Sequence, residues 1–581
     1  LKKWLFIVLG VVLLLVVGVV LFRSIFTPDE EVTVELPEPG EPQEVLTEQK
    51  ERFEKRIEKV TEGIHVAIGY ALANVIVIES EEGNIIIDTT ECVEAAGEIK
   101  EDLEEITDAP TRAIIYTHAH PDHIYGSPVF AEDRAAEFDV YAQEAHYDFF
   151  SEQVLLRDVF NTRGMRQFGS KLPEGYVITH GIGPVMRFDH HDVPAYVEPT
   201  KLFDEQLSLE IGGRNLLLKH APGETEDQLL VWMPDEKVLF PGDNYYPAFP
   251  NLYTIRGSAP RDVTDWYLSL DMMRDLDADY LVPSHAEPVR GRERIEELLT
   301  VYRDSIQYIH DAVVRGMNEG KTRDELAAEI ELPPHLAKHP ETRELYGQIS
   351  FSVRSIYDRY LGWFDGNAVN LDPLPEWERA DNICEMVGGT EKMLVEAEKA
   401  LEEQEYQWAA ELAQMILHVD SKSERGREIK IEALLKLGEA TYNTNARNYY
   451  FSQALELAGK IELGQFEISA EAARNVPIDE FFRAMAIQLN PEASADKEIS
   501  ATFNITDTGE VFSLIVRRGV AELKREEIPD ADLVVNVEED AWKELAAGTT
   551  SPVAAMALGK IQVEDWRLLT LKEFVDLFEQ P

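Results

Sequence analysis

The residues best suited to chemistry are crowded into one stretch, His118-Ala119-His120-Pro121-Asp122-His123. Imidazoles and a carboxylate at this density are hard to explain by core packing, and neutral nitrogen with carboxylate oxygen is a donor set that suits zinc. The stretch follows an apolar, β-branched run, Arg112-Ala-Ile-Ile-Tyr-Thr117, so it reads as the turn from a strand into a helix. There, alternate side chains such as His118 and His120 point to one metal while Asp122 and His123 reach another. The spacing therefore predicts two zinc ions side by side. Thiolate ligation is excluded by composition, because Cys92 and Cys384 are the only cysteines and lie far apart in the sequence.

Further candidates follow at the ends of predicted strands, where loops assemble sites. They are Glu224 in Pro222-Gly-Glu-Thr-Glu-Asp-Gln228, Asp243 in Pro241-Gly-Asp243 and His285 in Val282-Pro-Ser-His285. Asp88, closing Asn84-Ile-Ile-Ile-Asp88, is the expected carboxylate acceptor for the far nitrogen of a ligand histidine; a turn-initiating aspartate is the competing reading. Zinc pairs lower the pKa of a shared water enough to supply hydroxide at neutral pH, so the expected chemistry is hydrolysis. The order of these candidates is the one a metallo-β-lactamase fold needs. Many members of that fold have histidine where Glu224 stands, and a carboxylate makes the site harder and more anionic.

With Glu224 and Asp243 in place and Asn251-Leu-Tyr-Thr-Ile-Arg256-Gly-Ser-Ala-Pro-Arg261 following, the chain resembles the alkylsulfatase family. The resemblance implies that Asn251, Arg256 and Arg261 bind sulfate, a role the planar guanidinium fork fits. It implies His118, His120 and Glu224 around one zinc, Asp122, His123 and His285 around the other, and Asp243 available as a bridge, with the choice of bridging carboxylate open. Asp122, Asn251, Arg256 and Arg261 are the expected catalytic residues, on an alkyl sulfate or similar small amphipathic ester opened at carbon with C–O cleavage. Phe168-Gly169 stands where the family has Tyr-Gly, which places Phe168 against substrate, and Ala286-Glu287 stands where His-Trp is usual. The histidine cluster equally serves thioester, lactone and phosphoester hydrolases; the arginines favour a tetrahedral anion. A membrane-tethered lipid carrier is the third reading, and the complete ligand set speaks against it.

The elements that must position these residues are legible in the periodicity. Short β-branched runs at Ile64 to Ile68, Asn74 to Ile78, Asn84 to Ile87, Leu229 to Met233 and Tyr280 to Val282 alternate with helical segments. The expected fold is an α/β metallo-β-lactamase αββα sandwich over residues 49–370. An all-α region follows over 371–460, with Tyr406, Ala409, Ala410, Ala413 and Ile416 at helical spacing. An α+β domain with strand-like runs at Ser500 to Ile505, Val511 to Val516 and Leu533 to Val537 occupies 465–581. By the resemblance these last two are a homodimerisation domain and a sterol-carrier-like domain with an apolar groove; the residue pattern alone makes Phe503, Phe512, Leu514, Val516 and Trp542 a core.

The apolar run from Trp4 to Phe22, preceded by Lys2 and Lys3, is long enough to cross a bilayer. With no small-x-small cleavage pattern after it, residues 1–26 are expected to form an uncleaved, single-pass membrane anchor with a cytoplasmic N-terminus and a periplasmic or extracellular catalytic domain. Residues 27–48, rich in Pro and Glu, are expected to be an extended tether. With 109 acidic against 55 basic residues and a formal charge of −54, nucleic acid is excluded as a partner.

Overall fold

Strands buried on both faces read as continuous apolar runs, and those of the N-terminal half do. In the computed structural model, which describes residues 40–131, 138–147, 155–187, 196–464, 477–546, 550, 552–564 and 567–578, they form two sheets. The first follows chain order, β1 (Arg56–Thr61), β2 (Ile64–Ile68), β3 (Val75–Ser80), β4 (Gly83–Ile87), β5 (Thr111–Ile115), β6 (Asp139–Gln143) and β7 (Lys201–Phe203). Its first four strands pair antiparallel, and the pairs from β4 onward are parallel. The second contains β8 (Gln206–Ile211), β9 (Arg214–His220), β10 (Leu229–Met233), β11 (Val238–Phe240), β12 (Tyr280–Leu281) and β13 (Val289–Arg290), in the order β13-β12-β11-β10-β9-β8.

Side-chain alternation sorts each strand between two cores. Ile76, Ile78, Ile85, Ile87, Ala113 and Ile115 of the first sheet meet Leu216, Leu218, Leu229, Val231 and Phe240 of the second. Their sequence neighbours Val75, Val77, Ile86 and Ile114 face outward against Ala96, Ile99 and Leu103 of the helix Val93–Leu103. Leu230, Trp232 and Leu239 of the second sheet pack against the helices Val263–Arg274, Arg292–Asn318 and Ile349–Leu361. The layers are helix, sheet, sheet, helix, as the periodicity predicts. Both sheets send the loops after β4, β5, β11 and β12 toward one place.

The expected helical region contains Glu376–Val387, Thr390–Glu402, Tyr406–Val419, Glu424–Ala440 and Thr444–Leu457. In Tyr406–Val419 the stripe Ala409, Ala410, Ala413 and Ile416 is buried, as its spacing requires. The C-terminal part is α+β, with a five-stranded sheet of β14 (Glu498–Ile505), β15 (Val511–Arg517), β16 (Val520–Lys524), β17 (Leu533–Val537) and β18 (Ile561–Val563). Phe503, Phe512, Leu514 and Val516 are buried in its core with Trp542 against them, and Phe482 stacks on Phe512 and Trp542 at 4.6 and 4.8 Å.

Two expectations require correction. The stretch read as tether through residue 48 ends in a helix, Glu44–Glu51, with Leu46 and Gln49 buried; Gln49 donates to the carbonyls of Gly181 and Pro247. The membrane-spanning assignment, and the localisation built on it, is withdrawn: among the described residues no helix is long and apolar enough to cross a membrane. The longest, Arg292–Asn318, is amphipathic, with charged side chains along its solvent face. The run Trp4 to Phe22 lies outside the described residues.

One close approach supports the site loops. Gly126 donates to Thr90 O at 3.0 Å, and a Cβ on it would lie 1.9 Å from Thr89 O. Gly126→Ala is therefore expected to destabilise the fold by about 1–3 kcal/mol through overpacking, read as a lowered Tm in thermal unfolding.

Candidate metal centre

The histidine cluster begins three residues beyond β5, between the parallel neighbours β4 and β6, and turns at Pro121 into the short helix Pro121–Ile124. Proline is well placed there, since its missing N–H is unsatisfied at a first helical position anyway. Asp88, one residue beyond β4, holds this turn. Its carboxylate accepts from the Thr117 N–H at 2.8 Å, the Thr117 hydroxyl at 2.9 Å, the Ser284 hydroxyl at 2.7 Å and His123 Nδ1 at 2.8 Å. Those bonds fix the His123 tautomer and aim Nε2 away from Asp88. Asp88 adopts φ 56°, an uncommon conformation that aspartate tolerates.

Two groups of donors result, each with its ligand atoms within 4.8 Å of one another: His118, His120 and Asp243; and Asp122, His123 and His285. Asp243 Oδ2 lies between them, 3.2 Å from His285 Nε2, 3.5 Å from His123 Nε2 and 4.0 Å from His118 Nε2. Asp122 Oδ2 is 3.5 and 3.7 Å from His123 and His285 Nε2. His285 is aimed by Nδ1 donating to Leu72 O at 2.8 Å, and its loop is gripped by Asn74, whose amide donates to Pro283 O and Ala286 O.

The donor set fits a metal. His123 Nε2 and Asp243 Oδ1 are buried and have no hydrogen-bond partner among the described residues, a state that is costly unless something completes it. Burial, reinforced by His123 near His118 and by His118 and Arg256 near His120, holds these two imidazoles well below the usual histidine range and so neutral. Burial also opposes charge on His123, but Asp243, Asp122 and Asp88 together raise it well above that range. Burial would raise Asp243 too, yet His285 and His123 hold it well below the carboxylate range. A cation is the natural replacement for those protons.

Beside these groups lies a pocket of cationic and neutral donors. Arg256 brings Nη2 to 3.3 Å from His120 Nε2 and is steadied by Thr254 Oγ1 at 2.8 Å. Gln167 Oε1 accepts from the Arg256 N–H at 2.8 Å and the Thr254 hydroxyl at 3.0 Å. Phe168 carries the Arg256 guanidinium over its ring at 6.0 Å. Asn251 Nδ2 is buried and unpaired among the described residues, while its N–H donates to Tyr246 Oη at 2.7 Å. Glu224 stands outside both three-member groups: it pairs with Arg261 at 2.7 Å and accepts from Tyr246 Oη at 3.1 Å. Arg261 also donates to Asn251 O, so it ties Glu224 to the Asn251 loop.

Sequence reasoning therefore named every member of the two donor groups and the residues of the Asn251 loop. It missed Asn74, Ser284, Gln167 and Tyr246, which are ordinary polar residues next to, or distant from, the motifs. Ser284 precedes His285 and Gln167 precedes Phe168, which were their only local signals. Of the departures at positions 286 and 287, Ala286 takes φ 65° and Glu287 pairs with Arg52 at 2.8 Å.

Comparison with known proteins gives three consecutive family matches: the metallo-β-lactamase superfamily over residues 69–285, alkyl sulfatase dimerisation over 322–460 and alkyl sulfatase C-terminal over 467–581. The chain is 36% identical to a linear primary-alkylsulfatase of Pseudomonas sp. over 520 residues, 86% of this chain and 98% of that one. An alkyl/aryl-sulfatase of Saccharomyces cerevisiae is 28% identical over 90% of this chain and 82% of its own length. Among solved structures, a stereoselective inverting sec-alkylsulfatase of Pseudomonas sp. superposes with a TM-score of 0.86 at 26% identity, covering 92% of this chain and 87% of that one.

Because Asp88 orients His123 and joins it to Ser284, Asp88→Ala is expected to weaken metal affinity about 10- to 100-fold. Competition titration with a chromophoric chelator measures it, and unchanged affinity would count against a metal at His123.

Proposed function

Since this chain belongs to the alkylsulfatase family, we propose that it hydrolyses alkyl sulfate esters to alcohol and inorganic sulfate at a centre holding two zinc ions. The observation that carries the reading is Arg256 against His120 at 3.3 Å, which puts an anion-binding fork on the edge of a hydrolytic donor cluster. A thioester or lactone group is uncharged and would give that guanidinium no anion to pair with.

In this reading His118, His120 and Asp243 hold one zinc and Asp122, His123 and His285 the other. When bound, zinc supplies Lewis acidity and a strong nucleophile from water at neutral pH. The chain supplies the rest. Arg256 and the unpaired amide of Asn251 hold the sulfate head, leaving the alkyl chain outside the donor pocket. Arg261, neutralised by Glu224, acts by fixing the Asn251 loop rather than by adding net charge. Tyr246 bridges Glu224 and the Asn251 N–H, so loop and carboxylate move together. Charge that collects on departing sulfate falls on preorganised donors, which is where such stabilisation counts. This favours cleavage of the C–O bond. The relative described as inverting supports that choice, because inversion at a carbon requires a bond to that carbon to break. The match to the alkyl sulfatase dimerisation family supports a homodimer.

Release of sulfate from dodecyl sulfate by the full chain tests the proposal. Chelation is expected to abolish release and zinc to restore it, with two zinc ions per chain by elemental analysis. Arg256→Ala is expected to lower kcat/KM about 100-fold or more, the scale of losing a charge-assisted pair to the reacting head. In water labelled with oxygen-18, the label is expected in the alcohol; label in sulfate would overturn C–O cleavage. Two bound zinc ions with thioesterase activity and no sulfate release would replace the alkyl sulfate reading by another ester.

A further inference from the structure

His180 is fully buried, and among the described residues neither of its ring nitrogens has a hydrogen-bond partner. A neutral imidazole carries one donor and one acceptor, and leaving both unmade in the interior is unfavourable unless a ligand completes them. The backbone around it is firmly held. The His180 N–H donates to Gly183 O at 3.1 Å, Thr179 Oγ1 donates to Gly183 O at 2.7 Å, and Thr444 Oγ1 donates to His180 O at 3.0 Å. Gly181 at φ 81° closes the turn, and a Cβ there would lie 2.8 Å from Leu345 O. The loop is built to keep this ring in place.

Through Phe168 the ring is one contact removed from Arg256. The ring meets Phe168 edge-on at 5.3 Å and 81°, and Phe168 is the ring over which the Arg256 guanidinium lies. The Asp122 carboxylate is close enough to act on its charge. Gln167, which precedes Phe168, also has a buried amide nitrogen with no partner among the described residues, as does Asn251. His180, Gln167 and Asn251 are thus three neutral side chains with unmade buried polar atoms, the kind of group that an oxygen of a tetrahedral anion completes.

We propose that His180 is a further substrate-binding residue, whose ring N–H donates to an oxygen of the tetrahedral anionic head held by Arg256 and Asn251. The inference rests on the alkyl sulfate reading and adds a determinant of head-group specificity to it. Burial pushes the imidazole down to about 4, so near neutral pH it offers a donor without adding positive charge. A rigid neutral donor rewards a head with an oxygen directed at it and leaves a planar ester, which lacks one there, without a partner.

Calorimetric binding of inorganic sulfate to the zinc-loaded full chain tests this, with zinc content and Tm measured alongside for His180→Leu and His180→Gln. His180→Leu is expected to weaken sulfate binding about tenfold or more, and His180→Gln, which retains an amide donor, by about threefold or less, with zinc content unchanged. Sulfate affinity in His180→Leu equal to that of the unsubstituted chain overturns the proposal. Should His180→Leu lose zinc or unfold, the unsubstituted chain decides by nitrogen-15 NMR of its labelled histidines. The ring resonance absent from His180→Gln must shift on saturation with sulfate, and a resonance that stays fixed overturns the proposal. A chain that binds sulfate through His180 yet releases none from dodecyl sulfate would refute the alkyl sulfate reading while supporting the pocket; one that binds no sulfate refutes His180 as its ligand.

Discussion

The Asp88 carboxylate is the interaction on which the remainder depends. Buried completely, it is costly to leave without partners, and it takes them from the Thr117 backbone and hydroxyl, from Ser284 and from His123. Those partners follow β5 in the first sheet and β12 in the second. One carboxylate thereby joins the ends of two sheets whose apolar faces are already in contact, and the hydrogen bonds that satisfy it also aim a histidine of the donor groups. Asn74 does the same for the opposite wall, reaching across to the loop of His285 with both its backbone and its side chain.

Much of this was legible in the residue order because fold and site obey short-range rules. Ile85, Ile86 and Ile87 announce a strand buried on both faces, and they divide between two cores as alternation demands. His118 to His123 are readable because four of the six donors in the two groups come from one turn. Asp88, Asp243 and His285 are readable because each ends a strand. The helical stripe in Tyr406–Val419 and the aromatic core around Phe503 and Phe512 were likewise visible as periodicity.

What escaped are relations that no local pattern encodes. Arg261 illustrates it: in a segment that resembles the family's sulfate-binding one it reads as a substrate contact, and nothing local to it reveals that Glu224 lies 2.7 Å away. Gln167 acts through Thr254 and Arg256, far along the chain, and Tyr246 reaches back to Glu224, so nothing adjacent to either reveals those contacts. The residues after His285 show the reverse case. Ala286 and Glu287 depart from the family pattern, and the structure gives the second of them a salt bridge to Arg52, which also meets Glu341. Only the end of the stretch read as a tether departs from that reading, since Leu46 and Gln49 found buried positions in a helix; residues 27–39 lie outside the described residues.

The two donor groups draw on residues 118 to 123 and on residues 243 and 285, and this fixes an order of events during synthesis. A growing chain that has extruded the histidine turn can form β1 to β5, but Asp243 is still unmade, and the group of Asp122 and His123 lacks its third member until His285 emerges. Any ion captured earlier is held by an incomplete set of ligands and exchanges readily. Metal selection is thus deferred until both sheets have paired, when the geometry that discriminates among ions first exists. The long sequence separation within the site thus ties completion of its donor groups to the pairing of the two sheets.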